Sequence, residues 1–93
     1  MEYNEYILKK EVLVMKTFAD LVESSVACGM NLSSFAEWCH ISRQQIYKYM
    51  RGDVDATKIS YLNITNMAQY LDVSPDEVYN CICESFESKR IEV

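Results

Sequence analysis

The chain is predicted to fold as an all-α domain, compact and five-helical with an N-terminal arm, and three observations carry that prediction. Apolar residues recur at helical spacing in each segment from residue 17 onward, and a Ser, Thr or Asn stands where most of these segments begin. With 2 Gly and 1 Pro among 93 residues, little in the chain breaks a helix. A hydrophobic share of 49% supplies a core, and a chain of this length makes one small domain, which excludes a two-domain enzyme.

The elements follow in order. Thr17, with Asp20 three residues on, caps a first helix whose apolar face is Phe18, Leu21, Val22 and Val26 and which ends at Gly29. Asn31 caps a second over about 32–39, with Leu32, Phe35, Ala36 and Cys39 inward. Ser42 caps a third over about 43–51, with Gln45 in the box position, Ile46, Tyr49 and Met50 inward, and Gly52 at its end. Asp53 to Thr57 is a short polar loop. The fourth helix, about 59–71, presents Ile59, Leu62, Ile64, Met67, Ala68 and Leu71, with Thr57 and Ser60 both able to cap it. Ser74, Pro75 and Glu77 form the strongest start signal in the chain: a cap, a proline at the first helical position and a box glutamate. The fifth helix runs from Pro75 to about Ser88 with Val78, Cys81 or Ile82, and Phe86 inward. The expected boundaries are therefore 1–16 for the arm, 17–88 for the domain and 89–93 for a tail.

The first sixteen residues admit two readings. Leu8, Val12, Met15, Ala19, Val22 and Val26 hold a spacing that would make one long helix. Glu11 to Met15 is β-branched at alternate sites and Thr17 looks like a cap, which favours a separate arm. Either form gives Leu8, Val12 and Met15 a role in dimerisation, since a minimal core has little room for them.

Charge is informative through its distribution. The net charge of −5 argues against coating nucleic acid by bulk attraction. Residues 31–60, however, carry Arg43, Lys48, Arg51 and Lys58 against Glu37, Asp53 and Asp55, so the middle third alone is basic in balance. An anionic partner is expected there.

The 4 cysteines are read as reduced. Cys28, Cys39 and Cys81 fall in apolar helical patterns, where a thiol acts as a small hydrophobe, and Cys81 and Cys83 point apart on a helix, so no metal site and no cofactor are expected. Trp38 and Phe35 are assigned to the core rather than to a ligand platform, with Trp38 able to rim the surface in part. The acids at 72, 76, 77, 84 and 87 are assigned to a solvated face. Enzyme chemistry lacks its parts: there is no Gly-rich phosphate loop and no recognisable nucleophile between a base and its orienter.

Two short helices separated by Cys39 to Ser42 are the mark of a helix-turn-helix. With Ile46, Tyr49 and Met50 inward, Arg43, Gln44, Tyr47, Lys48 and Arg51 are left on the outward arc. That face is basic and carries donors suited to base edges, Gln for adenine and Arg or Lys for guanine. Tyr47 there serves either as a phosphate or thymine-methyl contact or as a protein anchor.

Residues 17 to 82 resemble the phage-repressor class of helix-turn-helix domains, the Xre or Cro-like family of five-helix, lambda-repressor-like modules. Gly29-Met30-Asn31-Leu32-Ser33-Ser34-Phe35-Ala36 matches the family's entry to helix two, and His40-Ile41-Ser42-Arg43-Gln44-Gln45-Ile46 its turn and recognition helix, closed by Arg51-Gly52. Met67 to Val78 resembles its last inter-helix turn. The resemblance implies base reading by Arg43, Gln44, Gln45 and Lys48, and backbone contacts from Asn31, Ser42, Tyr47 and Arg51. Its implied function is sequence-specific binding of double-stranded DNA and transcriptional repression by a cytoplasmic dimer of phage, plasmid or bacterial origin. Four features depart from the pattern: Leu32 in place of a phosphate-touching glutamine, His40 in place of a turn glycine, acids at 53 and 55, and a longer loop after helix three. The alternative is a protein-binding member of the class, such as a small phage-encoded inhibitor of a host defence protein, gripping its partner through the acidic surface and the arm.

Overall fold

The computed structural model describes residues 16–91. Five α-helices follow one another: α1 (Phe18–Ala27), α2 (Leu32–Cys39), α3 (Arg43–Arg51), α4 (Tyr61–Leu71) and α5 (Pro75–Ile91), with a 3₁₀ turn, Ala56–Lys58, between α3 and α4. The choice between arm and continuous helix for residues 1–16, and the dimer contacts assigned to Leu8, Val12 and Met15, lie outside the described residues.

Each helix starts where a side chain can take a free backbone N–H. Thr17 and Asp20 form a reciprocal capping box, with the Asp20 N–H donating to Thr17 Oγ1 at 3.2 Å and the Thr17 N–H to Asp20 Oδ2 at 3.1 Å. Asn31, Ser42, Ser60 and Ser74 accept the N–H three residues on, from Ser34, Gln45, Asn63 and Glu77. Four residues with positive φ stop the chain from continuing helical: Gly29, His40, Gly52 and Asp72.

α5 is the central support, packing against α1, α3, α4 and the 3₁₀ turn, while α2 rests on α3 and α4. Their inner faces meet in one core, in which Phe18, Phe35, Ile46, Met67 and Ile82 are fully buried. Truncating any of these to Ala costs roughly 2–5 kcal/mol, since close packing leaves a cavity rather than a collapse. Among the described residues no helix is long and apolar enough to cross a membrane.

Several expectations are corrected. α4 begins at Tyr61 with Ser60 as its cap, because Ala56–Lys58 wind into a 3₁₀ turn on Asp55, and Ile59 is extended between the two. Leu62 is 68% exposed rather than inward, because it stands about half a turn round the helix from the buried Ile64. The expected loop thus contains regular structure, and Ala56 within it is buried. Val26 and Cys28 at the end of α1 are also exposed, beyond the reach of the core. Trp38 is 45% exposed: its ring packs on Tyr70 at 5.6 Å and leaves its other side to solvent. α5 extends to Ile91, past Ser88, with the Arg90 guanidinium 3.7 Å over the Phe86 ring.

Candidate nucleic-acid interface

The candidate interface is built from the turn between α2 and α3. His40 adopts φ 59° and ψ 38°, the left-handed conformation, and the Ile41 N–H donates back to the Ala36 carbonyl at 3.1 Å. Ile41 packs against the core and fixes the turn, after which Ser42 starts α3 by accepting the Gln45 N–H at 3.0 Å. The His40 position does require the geometry that a glycine adopts without strain.

α3 buries Ile46 and Tyr49, half-buries Met50, and exposes Arg43, Gln44, Tyr47, Lys48 and Arg51. The inner face is held by the Tyr49 ring, edge-on to Phe18 with centroids 6.0 Å apart. The outer face carries three cations and no acid along the nine residues of the helix. Arg43 Nη1 reaches Ser33 Oγ at 3.4 Å, joining the first turns of α2 and α3 on that side. No protein-family model matches the chain, and neither does any curated protein or solved structure.

Of the four residues assigned to base reading, Arg43, Gln44 and Lys48 are exposed together, while Gln45 is set back. It lines an open groove of about 390 Å³ with Ser42, Tyr49, Lys58, Ser60 and Asn63. Of those assigned to backbone contact, Asn31 and Ser42 use their side chains as helix caps, taking the N–H groups of Ser34 and Gln45, so an anion at these helix starts would meet the earlier N–H groups of each first turn. Tyr47 is partly exposed on the same face as Lys48.

Arg51 is engaged within the chain. Its Nε donates to Asp53 Oδ2 at 3.1 Å, and Lys89 Nζ from α5 donates to the other carboxylate oxygen. The Lys89 and Arg51 hydrogen bonds hold the Asp53 carboxyl below the usual carboxylate value. Asp55 is lowered likewise, first by the Thr57 backbone N–H and then by its hydroxyl, because its carboxylate caps the 3₁₀ turn. The two acids after α3 are therefore structural: one neutralises the end of α3 and the other starts the next turn.

Sequence reasoning gave no site role to Ser33 beside Arg43, or to Ser60 and Asn63 in the groove, and counted Lys58 only in the basic balance of residues 31–60. A basic residue two positions before a serine cap was the available signal for Lys58. The fold brings it beside α3 only through the 3₁₀ turn.

Proposed function

We propose that this protein is a sequence-specific reader of double-stranded DNA that acts as a transcriptional regulator, a repressor by occlusion, in the manner of the lambda-repressor-like helix-turn-helix class. The observation that carries the reading is the outer face of α3, where Arg43, Gln44, Tyr47 and Lys48 stand exposed together, without an acid on the helix, over a core-facing side held by Ile46 and Tyr49. A helix of this kind enters the major groove with its first residues at base edges, so Arg43 and Gln44 read bases and Gln45 lies at the margin. Lys48, assigned above to the bases, stands one turn further along the helix and is taken here to meet a phosphate, with Tyr47 and the first-turn N–H groups of α2 and α3, started by Asn31 and Ser42. Arg51 contributes there only as far as Asp53 releases it.

A net charge of −5 gives weak attraction to DNA at large, so affinity needs two half-sites and hence a homodimer in the cytoplasm. Selection from random duplex DNA, followed by a salt titration of the recovered sequences, tests the reading. A two-fold symmetric consensus with half-sites about one helical turn apart is expected. Folded protein that enriches nothing would sink the idea.

A second reading, a protein-binding helix-turn-helix that inhibits a host defence protein, is favoured by one observation: Tyr61 and Leu62 are large, apolar and exposed. Protein capture in the absence of an enriched DNA site would favour it.

A further inference from the structure

α4 is the only described helix that carries no Asp, Glu, Lys or Arg, in a chain that is 25% charged. Its inner stripe of Ile64, Met67, Ala68 and Leu71 is buried. The opposite stripe is Tyr61, Leu62, Thr65, Asn66 and Gln69, in which Leu62 and Gln69, seven residues apart, lie on one line along the helix. Tyr61 is 74% exposed. The Thr65 hydroxyl donates to the Tyr61 carbonyl at 2.8 Å, so its hydrogen need seeks no other acceptor.

We infer that this face is the seat of a second copy of the chain, α4 packing antiparallel on α4 about a two-fold axis beside Asn66. Two arguments select a copy over another partner. Chains of net charge −5 repel, and an uncharged helix is where two of them approach at least cost, whereas a cationic partner would be drawn to the acidic α5 instead. A two-fold interface also sets each surface against itself, so a charge near the axis meets its like. An amide both donates and accepts, so Asn66 can pair with Asn66 of the other copy, as no Lys or Glu could. In the antiparallel register Leu62 of each copy lies over the stem of Gln69 of the other, with Tyr61 at the rim.

The start of α4 shares a groove with α3, through Ser60 and Asn63 on one side and Gln45 on the other. The inference deepens the dimer of the proposed function and does not depend on DNA.

The test is sedimentation equilibrium of the full-length chain over a concentration series, with thermal melts confirming the fold of each variant. Wild type is expected to dimerise, Leu62→Glu to weaken the dimer about tenfold or more, and Leu62→Glu with Gln69→Lys to regain it, because the new charges face each other between copies. A wild-type chain that stays monomeric, a folded Leu62→Glu that dimerises as wild type does, or a double variant no tighter than the single would each overturn the inference. These masses are read without DNA. A chain that dimerises in this way yet enriches no DNA sequence overturns the DNA reading alone.

Discussion

The Ser85 hydroxyl oxygen accepts the Phe18 N–H at 2.9 Å, across 67 residues of sequence and inside the core. Phe18 is the first residue of α1, whose opening N–H groups have no partner in their own helix. One is thus satisfied by α5 rather than by a local cap. Ser85→Ala leaves that donor buried and unpaired, and is expected to cost about 2 kcal/mol. Chemical denaturation checks it, and an unchanged midpoint would show that water takes the place of the hydroxyl.

Gly52 explains why the chain turns where it does after α3. Its φ is 81°, and a Cβ built there would overlap the carbonyl oxygen of Ser85. The end of α3 therefore lies on the backbone of α5, and Gly52→Ala must both strain the turn and push the helices apart. A loss of about 3 kcal/mol is expected, in contrast to Gly29, around which a Cβ would meet open space. Melting the two Ala variants side by side separates steric from conformational cost.

His40 and Asp72 pay for left-handed backbone without a glycine's freedom. His40→Gly is expected to stabilise by about 0.5 to 1 kcal/mol, the relief of strain being partly offset by the greater freedom of glycine in the unfolded chain. A lower melting temperature for this variant would mean that the imidazole makes a contribution its exposure does not suggest.

The pH dependence of stability has two arms. The folded fold lowers Asp53 and Asp55 below their ordinary value of 3.8, so their contribution is present above that pH and is lost as the pH falls through the folded values. Burial raises the Cys39 and Cys81 thiols from 9.0 to about 11, so the unfolded chain ionises first and stability falls as the pH rises through that window. Asp53→Asn should remove most of the acid arm that Lys89 and Arg51 create. In thiol labelling of the native protein at neutral pH, exposed Cys28 should react well before Cys39 and Cys81. Equal rates would place the buried pair in a region that opens readily.

Local signals in the sequence were enough to place four of the five helix starts, because caps act over three residues: Thr17, Asn31, Ser42 and Ser74 all accept the N–H expected of them. The outward arc of α3 followed from the same periodicity. What was not legible was long-range. Ser85 shares the inward stripe of Val78, Cys81 and Ile82, but a serine between Glu84 and Glu87 gives no apolar signal, and the N–H it accepts comes from Phe18, 67 residues earlier. Leu62 looked inward because it is apolar, but its place in the helical period lies in line with Gln69, opposite the buried stripe of Ile64, Met67, Ala68 and Leu71. Asp53 looked like a defect in a basic surface, because a carboxylate shared with Lys89 of α5 exists only once the helices are packed.

That shared carboxylate alters what substitutions on α3 should do to the DNA binding proposed for this chain. Arg43→Ala with Gln44→Ala is expected to change which sequence is preferred, with a loss of about 1–3 kcal/mol at the bases beneath them, since both stand at the start of the helix. Lys48→Ala should weaken binding to all sequences alike and reduce the salt slope by about 1, as removal of one phosphate contact does. Arg51→Ala should do less than Lys48→Ala, because Asp53 already neutralises the guanidinium. By the same reasoning Asp53→Asn frees Arg51 and Lys89 and should tighten binding without regard to sequence, most visibly at low salt. Fluorescence anisotropy with one selected and one scrambled duplex, each titrated over salt, measures all four. If Arg51→Ala proved as damaging as Lys48→Ala, Asp53 would have to release Arg51 on the DNA, and Asp53→Asn would then gain little.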